Sequence, residues 1–403
     1  MGDAQKLSPD EQIRRARDQF DGAPDFTLAV EEEFAILDPE TLSLVNRFEE
    51  LQAASRGTEL EGHLVGELIA SEVEVRTGRC DSFEDAADRM GERRDQLSRL
   101  ADQLGVALAA TATHPWSPWQ EQRIIDTPHY RRNDEILRYV VWRNNTFGIH
   151  VHVGIRGADR AVRVCGALRN YLPDLLALSA SSPFLEGVYT YLHSARTQIF
   201  TKMFPRCGIP DPFSGWPEYE RYVRYLYATG SIDEHTQLWW SVRPHLAFPT
   251  VEIRICDAQP DLGEARSLAA LAYALTARIA RALDEREPLP ERPRHLLEEN
   301  FWRAIRHGLA GELIDLSAFP EPRVRPARAA VEELIGWVLP VAEELGVDQH
   351  LAVPAANAAE RQIARYASLS TETAGGRAGA SSKEILEEIY GEQVLGTKEA
   401  VSG

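Results

Sequence analysis

The sequence has few cysteines, no long apolar run and a deficit of basic residues. Its 403 residues include only four cysteines, spaced far apart without a CxxC pair, which argues against a zinc ribbon or a disulfide scaffold. No segment approaches the roughly 18 consecutive apolar residues of a membrane-spanning helix. The 44 Lys and Arg face 62 Asp and Glu, a formal charge of −18, and acidic surfaces repel polyanions. We therefore predict a cytoplasmic protein that binds neither nucleic acid nor membranes.

Common nucleotide-binding and zinc-binding motifs are absent as well. No GxxxxGK[ST] or GxGxxG sequence joins a strand-like segment to a helix, so neither a P-loop nor a Rossmann site is predicted. No HExxH sequence is present, which disfavours a zinc hydrolase. Any nucleotide is therefore expected to bind on a sheet surface through metal ions.

Composition and patterning predict one large folded unit. Hydrophobic residues make up 44% and charged residues 26%, as in ordinary globular proteins. Residues 1–24 are predicted to form a polar N-terminal arm, and residues 25–370 a single catalytic domain. A flexible segment and a C-terminal helix are predicted for residues 371–403. The spacing of apolar residues predicts an amphipathic helix over residues 83–104.

Four strand-like segments, residues 26–37, 70–78, 147–155 and 245–257, each have one apolar and one charged face. Alternate side chains of a strand share a face, and Glu32 is the exception to this pattern. The charged faces carry Glu31, Glu33, Glu72, Glu74, Arg76, His150, His152, Glu252 and Arg254. Each strand alone is compatible with the solvated face of an antiparallel sheet. Glutamate is depleted in strands, however, so its recurrence predicts that these faces share one polar basin.

The residue types in the basin indicate a hard cation and an anionic substrate. Carboxylates with an imidazole favour magnesium or manganese over zinc. Arg254 cannot ligate a metal, and its natural partner is an anionic group such as a transferring phosphoryl. Carboxylates, a hard cation and a guanidinium together neutralise charge in phosphoryl transfer.

These segments resemble, in order, the motifs of the glutamate–cysteine ligases, and most of all their type 2 branch, the carboxylate–amine ligases. The resemblance runs from about residue 25 to about residue 370. The matching residues are Ala29–Glu33, Glu67 with Glu74–Thr77, Thr113–Trp116, Gly148–Gly154, Trp239–Pro244, Thr250–Asp257 and Asn300–Ala304.

The resemblance implies an α+β fold of the glutamine-synthetase-like superfamily, a curved antiparallel funnel backed by helices that holds ATP and magnesium. Arg254 matches the catalytic arginine that contacts the phosphoryl group. The implied metal ligands are Glu31, Glu33, Glu67, Glu74, His150 and Glu252. The implied reaction is activation of a carboxylate such as the γ-carboxylate of glutamate by ATP, followed by attack of an amine such as cysteine on the acyl phosphate.

Four further residues are assigned to substrate binding. Arg243 is predicted to bind a substrate carboxylate, with a surface ion pair as the alternative, and His152 to contact substrate beside the ligand set. Residues 204–218 are rich in Pro and Gly, which is typical of a long loop and suggests a lid. Lys202 and Arg206 would then reach anionic groups, although a plain surface connection is the alternative.

Two other functions are compatible with the sequence. A metal-dependent amide hydrolase of the same fold would use the basin to activate water, and a catalytically silent regulatory protein would only bind. The sequence leaves open the acceptor amine, the identity of the carboxylate donor and whether the chain forms a homo-oligomer.

Overall fold

The computed structural model describes residues 8–374 and 382–395 as an antiparallel sheet with helices packed against it. The helices are α1 (Pro9–Gly22), α2 (Phe48–Ser55), α3 (Phe83–Leu104), α4 (Pro128–Leu137), α5 (Tyr139–Trp142), α6 (Ala158–Leu168), α7 (Leu172–Ser179), α8 (Ala195–Met203), α9 (Trp216–Ala228), α10 (Leu262–Asp284), α11 (Arg294–His307), α12 (Ala327–Glu344), α13 (Ala358–Ala374) and α14 (Ser382–Gly391). The strands are β1 (Leu28–Leu37), β2 (Leu64–Val65), β3 (Glu72–Arg76), β4 (Ala107–Ala109), β5 (Ile149–Gly154), β6 (Phe184–Leu185), β7 (Val188–Tyr189), β8 (Cys207–Gly208), β9 (Trp239–Trp240), β10 (Val242–His245), β11 (Thr250–Ile253), β12 (Glu312–Ile314) and β13 (Val324–Pro326).

The main sheet has seven strands in the order β10-β11-β5-β1-β3-β2, with β4 also paired to β1. All of its pairings are antiparallel. The long strand β1 is central, because β3 pairs along one edge while β5 and β4 share the other. This arrangement confirms the predicted α+β fold with an antiparallel sheet backed by helices.

The apolar face of the sheet and its backing helices form the core. Val30, Val151 and Val251 pack into one buried cluster with residues of α6 and α10, and Phe34 and Val73 pack with α3. Helix α3 spans the predicted residues, since it begins after the cap residue Ser82 and ends at Gly105, where φ is 64°. The charged face is therefore the face opposite this core.

The predicted strand over residues 245–257 is wrong in its bounds. Residues 246–249 form a turn that joins β10 to β11 as an antiparallel hairpin. The amide of Phe248 donates to Nδ1 of His245 across this turn, and Pro249 has no amide hydrogen for a ladder. The hairpin brings Arg243 of β10 beside Glu252 of β11.

Both predicted terminal segments contain helices with buried faces. Residues 9–22 form α1, which begins with a capping box between Ser8 and Glu11 and buries Ile13, Ala16 and Phe20 in the main core. Thr371–Ala374 belong to α13, the rest of the predicted flexible segment lies outside the described residues, and α14 is a helix near the C-terminus. Among the described residues, no helix is long and apolar enough to cross a bilayer.

Glu32, the charged residue on the apolar side of β1, is explained by a buried ion pair. Arg94 of α3 lies with Nη2 2.6 Å from Glu32 Oε1, and its guanidinium also donates to the carbonyls of Gln259 and Pro260. Both side chains are 7% exposed. Glu32 is therefore part of the packing between sheet and helix rather than of the polar basin.

We expect Arg94→Leu to lower the free energy of unfolding by about 3–5 kcal/mol, because it leaves the Glu32 carboxylate buried and unpaired. Urea denaturation monitored by circular dichroism measures this loss. The double variant Glu32→Leu, Arg94→Leu is expected to recover part of it, since no unpaired charge remains. A loss below about 1 kcal/mol in the single variant, the value typical of exposed pairs, would contradict this interpretation.

Candidate active site

Strand register brings the charged faces of four strands into one surface. Glu31 lies opposite His150 on one side and Arg76 on the other, and Glu33 lies opposite Glu74. Paired residues of neighbouring strands project from the same side of a sheet. The charged side chains of β1, β3 and β5 therefore stand together.

The hairpin and the loop after β2 complete this surface. Glu252 lies opposite His152 of β5 and Arg243 of β10, and Arg254 follows directly after β11. Glu67 follows β2, and it lines a cavity together with Glu33 and Arg254. The structure thus brings the whole predicted basin together.

Among the residues that the structure describes, three groups of donor atoms in the basin are compact enough to hold metal ions. In each group the potential ligand atoms lie within 4.8 Å of one another. The groups are Glu31 with Glu74 and His150, Glu31 with His152 and Glu252, and Glu33 with Glu67 and Glu74. All six residues predicted as ligands are present, and His152, predicted to contact substrate, is a seventh donor.

Burial disfavours the charged form of several carboxylates in the basin. Burial, with the neighbouring Glu67, raises the pKa of Glu33 to about 7, and burial also raises the pKa values of Glu72 and Glu74. Oε2 of Glu74 is buried, and none of the described residues offers it a hydrogen bond. Buried acidic oxygens that lack protein partners fit a divalent cation, which would supply the missing positive charge.

Other groups of the basin are held in the states that metal binding needs. Although burial opposes its charge, the neighbouring His152 and His150 hold the pKa of Glu31 well below its ordinary range. Arg243 and Arg254 do the same for the buried Glu252. Burial, assisted by Arg254, lowers the pKa of His150 to about 4. At neutral pH His150 is therefore uncharged and keeps a lone pair for a ligand.

We expect magnesium to raise the melting temperature more at pH 8 than at pH 6. The pKa of Glu33 rises from an ordinary 4.5 to about 7 on folding. The stability contributed by its protonated form is present below pH 4.5 and lost as pH rises through about 7. Magnesium needs the charged carboxylates, so at pH 6 it must first displace protons.

Differential scanning fluorimetry with magnesium chloride, at ionic strength matched by sodium chloride, measures this difference. Magnesium at a hundred times its Kd should stabilise the fold by about 3 kcal/mol at the higher pH. Equal shifts at both pH values would contradict the assignment of buried, proton-linked ligands.

Two arginines share the Glu252 carboxylate, and their surroundings differ. Arg243 lies with Nε 2.6 Å from Glu252 Oε2, and its Nη1 donates to the carbonyls of Thr236 and Leu238. Its guanidinium is therefore committed to holding Glu252 in a buried pair. This differs from the predicted contact with a substrate carboxylate, and also from the alternative of a surface pair.

Arg254 donates through Nη1 to Glu252 Oε1 at 2.5 Å and lines a cavity. Its Nε is buried and has no hydrogen-bond partner among residues 8–374 and 382–395. Because buried donors are nearly always paired, this guanidinium is suited to an anionic ligand in the cavity.

Two cavities of different chemical character adjoin the donor groups. The polar cavity, about 80 Å³, includes Glu33, Glu67, Glu72, His150, Arg196 and Arg254 in its wall. The apolar cavity, about 270 Å³, includes Leu28, Ala29, Glu31, Arg76, His152 and Phe248. Alternate residues of β1 thus face different cavities, Glu31 the apolar one and Glu33 the polar one.

Lys202 and Arg206, predicted to reach substrate, line neither cavity. Nζ of Lys202 lies 2.5 Å from Glu298 Oε2, and Nε of Arg206 donates to the carbonyl of Gln237. The segment 204–218 contains β8 and the first turn of α9, where Trp216 is fully buried. The Lys202 and Arg206 side chains are therefore paired with other protein groups and do not point to the predicted substrate contact.

Several residues of the polar cavity were not predicted. Arg196 of α8 donates to the carbonyls of Arg254 and Ile255, and a side chain at Gly148 would lie 2.3 Å from its Nη2. His129 and Asn133 of α4 also line this cavity. They come from helices outside the sheet, so strand alternation carries no signal for them. Asn144 and Thr146 also line the cavity. They lie in the segment before β5, and no pattern in the sequence predicted them.

The surroundings of four further residues of the matching motifs indicate their roles. His114 is buried and hydrogen-bonded to the carbonyl of Leu42 and the amides of Trp116 and Ser117, which indicates a structural role. The Cys256 thiol is buried, which raises its pKa to about 12, and no nucleophilic role is indicated. Trp239 lines the polar cavity, whereas Trp240 lies in the core.

Sequence comparison places this chain in a known family. The profile of glutamate-cysteine ligase family 2 (GCS2) matches residues 27–357. A Rubrobacter xylanophilus protein, provisionally named glutamate–cysteine ligase 2-3, is 43% identical over 333 residues, covering 83% of this chain and 89% of that protein. A Solibacter usitatus protein, provisionally named glutamate–cysteine ligase 2, is 38% identical over 346 residues, covering 84% of this chain and 89% of that protein.

Two solved structures share the fold. A glutamate–cysteine ligase from Francisella tularensis in complex with AMP has a TM-score of 0.59 and 13% identity, covering 95% of this chain and 96% of that one. A bifunctional glutathione synthetase from Pasteurella multocida has a TM-score of 0.61 and 14% identity, covering 94% of this chain but only 53% of that longer one. At these identities the likeness establishes the fold alone. From the profile match and the sequence relatives, we conclude that the chain belongs to glutamate–cysteine ligase family 2.

Proposed function

We propose that this protein is an ATP-dependent carboxylate–amine ligase that joins the γ-carboxylate of glutamate to an amine such as cysteine. The observation that carries the proposal is the position of the donor groups between an apolar and a polar cavity, with Arg254 lining the polar one. Membership of the family supports the ligase class, and the names of the relatives support glutamate and cysteine as substrates.

The apolar cavity suits the nucleotide. Its volume of about 270 Å³ and its apolar wall favour a base, and Phe248, 52% exposed at this cavity, offers an aromatic face for stacking. Arg76, Glu31 and His152 line the same cavity, which suits phosphates that approach through cations. The Francisella ligase was solved with AMP, which supports a nucleotide site in this fold.

The polar cavity suits the amino-acid carboxylate. Arg196 and Arg254 both line it, and they are the guanidinium groups in its described wall. Guanidinium groups bind carboxylates and phosphates through paired N–H donors. Glutamate bound there would present its γ-carboxylate toward the donor groups, with Arg254 beside the transferring phosphoryl.

The residues present fit magnesium or manganese. Glu31, Glu33, Glu67, Glu74, His150 and Glu252 would hold the ions, and His152 is placed to contribute. Bound there, a divalent cation neutralises negative charge on the phosphates of ATP.

The proposed reaction has two steps. A γ-carboxylate oxygen of glutamate attacks the γ-phosphorus of ATP, the bond from that phosphorus to the ADP oxygen breaks, and ADP leaves. Arg254 donates hydrogen bonds to the transferring phosphoryl and stabilises its charge. The amine nitrogen then attacks the acyl carbon, and the phosphate leaves with the electrons of the C–O bond.

The test is a product assay with ATP, magnesium chloride, glutamate and a panel of amines that includes cysteine, other amino acids, simple primary amines and hydroxylamine. We expect ADP and phosphate to form in equal amounts with a γ-glutamyl amide identified by mass spectrometry. Omission of ATP or magnesium should abolish the product.

Other outcomes distinguish the alternative functions. Cleavage of γ-glutamyl amides without nucleotide would overturn the ligase proposal in favour of a metal-dependent hydrolase. A lack of magnesium-dependent ATP binding by calorimetry, with no turnover, would indicate a catalytically silent binding protein. ATP-dependent ligation of a different carboxylate would keep the ligase class and replace glutamate as the donor.

A further inference from the structure

A histidine and a carboxylate form a pair at the wall of the polar cavity, outside the donor groups. His129, at the start of α4, lines this cavity, and its Nδ1 lies 2.9 Å from Oε2 of Glu234. A carboxylate accepts hydrogen bonds, so Nδ1 carries the proton of the neutral ring and Nε2 carries the lone pair. The His129 side chain is 41% exposed, so the ring is accessible.

Asn133, one turn later on α4, adds an unused acceptor at the same place. It is 7% exposed and lines the polar cavity, and its buried Oδ1 has no hydrogen-bond partner in the part of the chain that the structure describes. Its Nδ2 lies 3.3 Å from His129 Nε2, a long hydrogen bond that a ligand can replace. Buried acceptors without a partner are rare, and this one is suited to an N–H donor from a ligand.

We propose that His129 and Asn133 form the subsite for the acceptor amine, with His129 as the base that deprotonates it. This inference rests on the proposed ligase function and adds the residues for its second step. Asn133 Oδ1 accepts a hydrogen bond from the ammonium form, and His129 Nε2 takes a proton from the same nitrogen. Glu234 orients the ring and stabilises the imidazolium that forms.

The step balances without any further reactant. The ammonium group gives one proton to His129 Nε2 and becomes a neutral amine. Its lone pair forms the C–N bond with the acyl carbon, and the C–O bond to the phosphate breaks. The phosphate takes those electrons and a second proton from the nitrogen, and leaves as hydrogen phosphate. The products are a secondary amide, hydrogen phosphate and imidazolium.

A structural alternative comes from a second pair on the same helix. Arg132 of α4 lies with Nη2 2.7 Å from Asp233 Oδ2, beside the His129–Glu234 pair. Both pairs connect α4 to the segment before the helical turn His235–Gln237. Arg132 does not line the polar cavity, so Arg132→Gln is a matched control that loosens this connection without removing the base.

The test uses two nucleophiles that differ in protonation. Hydroxylamine is unprotonated at neutral pH and needs no base. The second nucleophile is the alkylamine or amino acid that the wild type uses fastest, and its ammonium group must first lose a proton. For the protonated amine we expect His129→Gln to lower kcat about 100-fold. With hydroxylamine the same variant should stay within about threefold of the wild type. Asn133→Ala should raise KM for the protonated amine about tenfold, with little effect on KM for ATP.

Each other outcome overturns a defined part of the proposal. If His129→Gln lowers kcat equally with both nucleophiles, His129 is not the base. If Arg132→Gln lowers kcat for the protonated amine as much as His129→Gln does, the effect comes from the connection between α4 and residues 233–234. An unchanged KM for the amine in Asn133→Ala would overturn the binding subsite. A wild type that makes no amide with any amine would overturn the ligase function itself, and the subsite with it.

Discussion

Arg254→Ala is expected to lower kcat about 1,000-fold while leaving the fold intact. The guanidinium lines the polar cavity with an unpartnered Nε, where we propose that it stabilises the transferring phosphoryl. Glu252 stays paired in this variant, because Arg243 still holds its carboxylate with Nε 2.6 Å from Oε2. KM for ATP should change little, since the lost interaction acts mainly in the transition state.

Steady-state kinetics with the amine panel and a thermal melt of the same preparation measure both parts of this expectation. Arg281→Ala is a suitable control, because Arg281 of α10 pairs with Glu344 and lines neither cavity. Wild-type kcat in Arg254→Ala would remove the residue from its proposed role. A large fall in melting temperature would instead make Arg254 a structural partner of Glu252.

Glu31→Gln is expected to lower kcat at least 100-fold and to raise the magnesium concentration needed for activity. Glu31 belongs to two of the three donor groups, so one substitution weakens both. Its side chain is 13% exposed and contacts His150 and His152, and glutamine keeps its size while removing its charge. Magnesium titrations of ATP turnover and of melting temperature measure the change.

The neighbouring residue offers the matched control. Glu32 is adjacent in sequence but projects to the opposite side of β1, where it pairs with Arg94. Glu32→Gln should lower the melting temperature yet leave the magnesium dependence of activity unchanged. Similar magnesium responses in the two variants would contradict the assignment of Glu31, and not of Glu32, to the metal site.

Strand periodicity located much of the basin, because alternation depends only on neighbouring residues. Glu31, Glu33 and His150 were assigned to one face by this rule, and the register of β1 with β5 places them there. Glu67 has no such pattern, and only the resemblance to the ligase family identified it. The spacing of apolar residues also predicted α3 correctly, since the helix spans Phe83–Leu104 between its cap residues Ser82 and Gly105.

The roles of the arginines could not be separated from sequence. Arg243 and Arg254 both stand near Glu252, but only the hairpin of β10 and β11 shows that Arg243 is enclosed by protein acceptors. Arg196, His129 and Asn133 reach the polar cavity from helices distant in sequence. No local pattern records which helix packs across which end of a sheet.

The sequence by itself determined the side on which each charged strand residue lies, and the order of motifs that identifies the family. Both follow from short-range rules, the alternation of a strand and the succession of residue types. Only the tertiary structure decided that two cavities of opposite character adjoin neighbouring carboxylates of β1, and that Nε of Arg254 has no hydrogen-bond partner among the described residues. Those properties depend on the packing of helices and loops that are distant in the chain, because burial and hydrogen-bond satisfaction are set by the whole surroundings of a group.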